Sequence, residues 1–150
     1  MSHTFSKLFY HCIFSTKGRR NLIAMDIRER LYAYIGGIIR EHDGRPIQAG
    51  GTANHVHLVL ELPTATPISE AMRLIKANVS KWVHETFPTQ AAFGWQTGYA
   101  AFTVSASSLD TVVRYVATQE HHHRSKTFDE EYVEFLARHE LEYDGRYLWD

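Results

Sequence analysis

The segment KLFYHCIFST, Lys7 to Thr16, is rich in aromatic and branched side chains and is apolar at both parities of a two-residue period. Such a run reads as a central strand covered on both faces, and the rest of the chain must supply the cover. Asp26 to His42 carries Ile27, Leu31, Tyr34, Ile35, Ile38 and Ile39 at helical spacing, with Asp26 as a plausible N-cap and Gly36 and Gly37 as weak points. Arg45 to Thr52 and His55 to Leu62, separated by Ala53 and Asn54, read as a strand hairpin. Pro67 opens a second amphipathic helix to about Phe87, striped by Ile68, Ala71, Met72, Ile75, Val79, Trp82 and Val83, and Pro88 stops it. Gly94 to Val104 contains a fourth strand, and Ser107 or Ser108 caps a helix from about Leu109 to His122. A short helix near Asp129 to His139 and an aromatic terminus follow.

The order strand, helix, strand, strand, helix, strand is the split βαβ pattern of a ferredoxin-like sandwich. The expected fold is therefore α+β: an antiparallel βαββαβ sheet with helices on one face, extended by a C-terminal helix. With 150 residues, 44% of them hydrophobic and 22% charged, the chain suits one domain spanning 1–150. Lys+Arg 16 against Asp+Glu 17 gives a formal charge of -1, so no protein-wide basic field captures DNA or acidic membranes, and any nucleic-acid site is local. The single Cys12 allows no intramolecular disulfide or thiolate cluster. The start, MSHTFSKLFY, lacks the features of a signal peptide, and no apolar run reaches membrane-spanning length. A cytoplasmic protein is the expectation.

Ten histidines are the compositional oddity. His55 and His57 flank Val56 on a strand, so both imidazoles share one face, with α-carbons about 6.7 Å apart, a span that two side chains close around one divalent ion. Chance alone yields about 0.7 His-x-His pairs at this histidine content, so the pair needs corroboration. A hydrolase barrel needs roughly 250 residues around such a pair. A binuclear hydrolase would follow it with Asp-His, where this chain has Leu58, Val59 and Leu60. In SLDTVVRYVATQEHHH, Val112, Val113, Val116 and Ala117 form an apolar stripe, with Tyr115 and Gln119 one turn apart on a neighbouring face. A tyrosine oxygen is a nucleophile once its proton is taken up or its phenolate is stabilised by a cation, and Gln119 offers a carbonyl oxygen as a third ligand. The bland reading is a boundary tyrosine beside a solvated glutamine.

Together these features resemble the single-tyrosine HUH transposases of the smallest bacterial insertion sequences, the REP-associated tyrosine transposase superfamily, where HUH denotes His, hydrophobic residue, His. The resemblance runs through HCIFSTKGRR, GGTANHVHLVLELP, ISEAMRLIKANVSKWVHETFP, FGWQTGYAAFTVS, YVATQEHHHRSKTFDEEY and LEYDGRYLWD. It implies a ferredoxin-like fold, a divalent metal (Mg or Mn) on His55, His57 and Gln119, and Tyr115 as the nucleophile that nicks and rejoins single-stranded DNA through a 5′-phosphotyrosine, leaving a free 3′-hydroxyl. It implies no nucleotide or organic cofactor. The implied partners are single strands with hairpins at element ends and a second copy in a homodimer, with the tyrosine supplied in cis or in trans, and no membrane. Thr118 departs from the asparagine usual in the family.

Candidate DNA-binding cations are Lys17, Arg19 and Arg20 after the first strand and Arg73 and Lys76 on the second helix, although basic helical faces are usually just solvated. Trp95, Tyr99 and Phe102 read more readily as core than as stacking platforms. His11 reads as a strand histidine. His121, His122 and His123 point about 100° apart and do not make a second metal site, though His122 can lie near the active face. Two other function classes stay open: a catalytically silent hairpin-binding protein of the same fold, and a structural ferredoxin-like dimer with an incidental histidine pair.

Overall fold

The computed structural model describes residues 3–150. Strand β1 (Phe9–Ser15) leads through a 3-10 turn to helix α1 (Met25–Glu41), and the hairpin β2 (Arg45–Gly51) and β3 (His55–Glu61) follows. Helix α2 (Ile68–Thr86) then crosses to β4 (Ala100–Val104). The four strands pair antiparallel in the order β2-β3-β1-β4, with β1 and β3 inside, which is the ferredoxin-like arrangement expected from the element order. Pro46 is tolerated because β2 is an edge strand, and a register shift between Pro46 and Gln48 absorbs its missing N–H.

The two parities of β1 and β3 face two different layers. Cys12 and Phe14 of β1 and Val56, Leu58 and Leu60 of β3 pack with Leu31 and Ile35 of α1 and Met72, Ile75 and Val79 of α2. Full burial of each large aliphatic side chain there contributes about 1.5–3 kcal/mol. On the opposite face Ile13, Ala100 and Phe102 meet Phe128, Tyr132, Phe135 and Leu136 of the tail helix α5 (Phe128–Arg138). The crossover helices thus occupy one face, and the tyrosine-bearing segment and α5 occupy the other. The aromatic terminus is an anchor on the body: Trp149 lies against Phe128 and Tyr132, with the Arg19 guanidinium 4.1 Å from its ring.

Two local expectations are corrected and one is refined. Ala24, not Asp26, occupies the N-cap of α1, and Asp26 falls in the first turn, where a carboxylate favours the positive helix end. Ser108 occupies the N-cap of the tyrosine helix, as expected, but its hydroxyl makes no capping bond to the helix backbone. A 3-10 turn over Ala106–Ser108 leads into it, and the hydroxyls of Ser105, Ser107 and Ser108 bond one another instead. The helix itself is not continuous from Leu109 to His122: α3 (Leu109–Ala117) ends at Thr118, and a separate turn, α4 (Gln119–His122), follows. The Thr118 hydroxyl donates to the Arg114 carbonyl at 2.9 Å, the back-bonding that bends helices. Among the described residues no helix is long and apolar enough to cross a membrane.

Candidate active site

Because side chains alternate along a strand, His55 and His57 leave β3 on the face opposite the α1–α2 core, and both are fully buried. They do not touch solvent because α3, α4 and α5 close over them. Their rings stand 5.2 Å apart at 73°, and the Nε2 atoms turn inward. His55 Nδ1 turns outward and donates to Asn54 Oδ1 at 2.8 Å. His57 Nδ1 turns outward to His11 Nε2, also at 2.8 Å.

Helix α3 delivers Tyr115 to the same place by lying against β2. The approach is close because Gly50 has no side chain: a Cβ there would overlap the Val116 carbonyl oxygen and lie 2.9 Å from its carbon. Gln119 opens α4 and is buried, its Oε1 3.0 Å from His55 Nε2. The neighbouring Glu120 pairs with the largely buried Arg28 of α1 at 2.7 Å, which ties α4 to α1. Tyr115 stacks on His122 with centroids 4.5 Å apart. The four residues singled out from the sequence, His55, His57, Tyr115 and Gln119, therefore stand together.

Two further residues enter the site. Glu131 of α5 is buried, with Oε1 2.9 Å from His57 Nε2 and Oε2 accepting the Tyr115 hydroxyl. His123, just past α4, brings its Nε2 within 3.0 Å of Gln119 Oε1 and 3.1 Å of Glu131 Oε1, while its Nδ1 donates to the Lys126 carbonyl at 2.7 Å. The expectation that the three consecutive histidines do not converge holds, and His122 lies near the active face as expected, but His123 also enters the site. A signal for Glu131 exists: it is a carboxylate inside the apolar stripe Phe128, Tyr132, Phe135, Leu136. For His123 the sequence offers none.

Electrostatics follow from burial. Desolvation lowers His55 and His11 to about 3 and also lowers His57, so all three are neutral near pH 7. Burial pushes the Glu131 carboxyl up, but hydrogen bonds from His123, His57 and Tyr115 outweigh it and hold the group ionised, well below its ordinary value. Burial likewise opposes the charged form of His123, yet Glu131 raises it. Burial first, then the Glu131 carboxylate, keeps the Tyr115 phenol protonated.

The residues fit a divalent cation. The carbonyl oxygen of Asn54 obliges His55 to carry its proton on Nδ1, so a bare Nε2 lone pair faces the Gln119 carbonyl oxygen at 3.0 Å. Two acceptors so placed repel unless a cation lies between them. Separations of 2.9–3.1 Å among His57 Nε2, Glu131 Oε1, His123 Nε2 and Gln119 Oε1 match the edge of an octahedron, about 3.0 Å for bonds of about 2.1 Å. His55, His57 and Glu131 form a possible metal-binding triad. Imidazoles beside a carboxylate and an amide suit manganese better than magnesium, which prefers oxygen throughout.

The candidate DNA-binding cations lie elsewhere. Arg19 pairs with Asp129 at 3.1 Å, and Arg73 pairs with Glu70 at 2.6 Å. Lys76, lowered to about 8 by burial, donates to the Thr97 and Gly98 carbonyls at 2.9 and 2.8 Å. Lys17 and Arg20 are exposed and form no ion pair among the described residues. Trp95 packs edge-on against Phe14 and Phe93, Tyr99 borders the α1–α2 core, and Phe102 is buried, in keeping with their reading as core.

Comparison with known proteins adds a family. The transposases for insertion sequence element IS200 of Salmonella typhimurium and Salmonella typhi are each 26% identical over 87 residues, 58% of this chain. The chain spans 57% of the length of these curated relatives. Among solved structures, a putative transposase from Deinococcus radiodurans R1 shares the fold with a TM-score of 0.64 at 20% identity, over 77% of this chain and 93% of that one. A REP-associated tyrosine transposase bound to a REP hairpin does so with a TM-score of 0.57 at 16% identity, over 77% of this chain and 68% of that one. The family model described as "Transposase IS200 like" matches residues 4–119, which include His55, His57, Tyr115 and Gln119, and the chain therefore belongs to the IS200-like transposase family.

Proposed function

We propose that this chain is a metal-dependent transposase that nicks and rejoins single-stranded DNA at insertion-sequence ends, with Tyr115 as the nucleophile. The observation that carries the reading is His55 Nε2 standing 3.0 Å from Gln119 Oε1 beside a tyrosine hydroxyl held by Glu131. A divalent ion on His55, His57 and Gln119, joined by Glu131, supplies positive charge to the phosphodiester oxygens when bound. The rest is done by the chain's own residues. Tyr115 Oη attacks phosphorus, and its proton has the Glu131 Oε2 acceptor at hand. The phosphorus–oxygen bond to the leaving 3′-oxygen breaks, giving a 5′-phosphotyrosine and a free 3′-hydroxyl. That ester conserves the bond energy, so the reverse attack by a 3′-hydroxyl rejoins DNA without ATP.

The solved relative bound to a REP hairpin supports a hairpin-bearing strand as the partner. Lys17 and Arg20 are the exposed cations offered to phosphates, with Arg19, Arg73 and Lys76 contributing where their present partners release them. We read the active form as a cytoplasmic homodimer. Mixed dimers of Tyr115→Phe and His55→Ala chains separate tyrosine use in cis from use in trans, since trans assembly restores one complete site.

The test is incubation with single strands flanking this gene, with and without Mn2+, followed by denaturing electrophoresis for a protein–DNA adduct. An adduct that requires both Mn2+ and Tyr115 is expected. Nicking by Tyr115→Phe at the wild-type rate refutes the reading. Hairpin and Mn2+ binding without an adduct would instead identify the silent hairpin-binding protein.

A further inference from the structure

The three imidazoles of the site differ in what holds their outward nitrogen. His55 Nδ1 meets the Asn54 amide oxygen at 2.8 Å, and His123 Nδ1 meets the Lys126 carbonyl at 2.7 Å. An oxygen of that kind only accepts, so Nδ1 carries a proton in both rings. His57 Nδ1 instead meets a ring nitrogen, His11 Nε2, at 2.8 Å, and a ring nitrogen either donates or accepts. The difference bears on His57 because its inward Nε2 has two incompatible tasks. Without a cation it faces the ionised Glu131 Oε1 at 2.9 Å and needs a proton to donate. As a metal ligand it must be bare.

The setting of His11 suits it to serve both states. It is buried, opposite Val59 in the β1–β3 register and so diagonal to His57, and the Phe135 ring packs edge-on against it with centroids 5.2 Å apart. It also borders a cavity of about 310 Å³ whose lining includes Ser105, Ser108, Arg138 and His139.

We propose that His11 is a positioning residue that lets His57 exchange tautomers when the site takes up a divalent cation. In the metal-free protein His11 Nε2–H donates to a bare His57 Nδ1, and His57 Nε2–H donates to Glu131. In the loaded protein His57 Nδ1–H donates to a bare His11 Nε2, and His11 carries its proton on Nδ1. Each ring holds one proton throughout, so the exchange is neutral in protons and charge, and both rings keep their orientation. The inference rests on the metal site of the proposed function.

Imidazole 15N NMR of the wild-type protein, with and without saturating Mg2+ as a diamagnetic probe, reads the exchange directly. Both His57 and His11 are expected to shift their proton from Nε2 to Nδ1 on loading, and a His11 tautomer unchanged by the cation overturns the proposal. Mn2+ affinity measured by electron paramagnetic resonance supplies the second arm. His11→Phe keeps the bulk and removes the hydrogen bond, and a ten- to hundred-fold loss of affinity is expected, the usual cost of losing an outer partner of a ligand. His11→Gln restores an amide that donates or accepts, and recovery to near wild-type affinity is expected. Unchanged affinity in folded His11→Phe, or equal loss in the Phe and Gln variants, refutes the role of His11 alone. Failure of wild-type protein to bind Mn2+ refutes the metal site itself, and this inference with it.

Discussion

Gly50→Ala tests how closely the helix of the proposed nucleophile depends on the strand beneath it. The added methyl would overlap the Val116 carbonyl oxygen and sit 2.9 Å from the carbonyl carbon, against ordinary contacts of 3.4–4 Å. The neighbour is backbone, so no rotamer change relieves the clash, and α3 must lift from β2 by about 1 Å, a displacement that costs on the order of 100-fold in rate when it falls on a reacting group. Tyr115 directly precedes Val116 and moves with it. His55 and His57 belong to β3 and keep their place while Gln119 follows α3, so Mn2+ affinity is expected to fall by less than the rate does, and overpacking lowers stability by about 1–3 kcal/mol. The assay is single-turnover adduct formation on a hairpin-bearing strand, with Mn2+ affinity and thermal melting measured on the same preparation. Adduct formation at the wild-type rate in folded Gly50→Ala would show that the seating of α3 on Gly50 does not set the position of Tyr115.

Acid should unfold the metal-free protein through its buried histidines. His11 and His55 titrate near 3 when folded and near 6.5 when unfolded, so their contribution is complete above pH 6.5 and is lost as pH falls from there toward 3. By pH 5 the loss is about 2 kcal/mol for each. Urea melts between pH 7 and pH 5 check this, and a flat profile contradicts the neutral-histidine site. Thr127→Ala removes a capping box in which Thr127 and Glu130 satisfy each other's backbone N–H, and a loss of about 1 kcal/mol is expected from chemical denaturation. Because α5 carries Glu131, the same variant should bind Mn2+ more weakly, and unchanged affinity would count against Glu131 as part of the site.

The sheet and half of the site were legible in the sequence for a physical reason: strand parity and helical spacing are local rules. HVH placed two imidazoles on one face, and the double apolar parity of β1 marked it as central. The i, i+4 spacing of Tyr115 and Gln119 brought both to the site even though Thr118 breaks the helix between them, because the break falls after one full turn. What stayed hidden depends on packing between distant segments. The partner of His11 is set by sheet register, and the arrival of His123 is set by the angle at which α4 leaves α3. Glu131 was masked by its context, since a carboxylate in a tail helix reads as solvated unless its place within the apolar stripe is weighed.

The matched family segment ends at Gln119, yet the carboxylate that holds the Tyr115 hydroxyl comes from residue 131. During synthesis, when chains emerge N-terminus first, the histidine pair, the tyrosine and the glutamine all precede α5. An emerging chain of that length has an open histidine face and a phenol without its acceptor. The Tyr115–Glu131 contact forms only when α5 docks, so the order of translation places the proposed nucleophile before its hydrogen-bond acceptor.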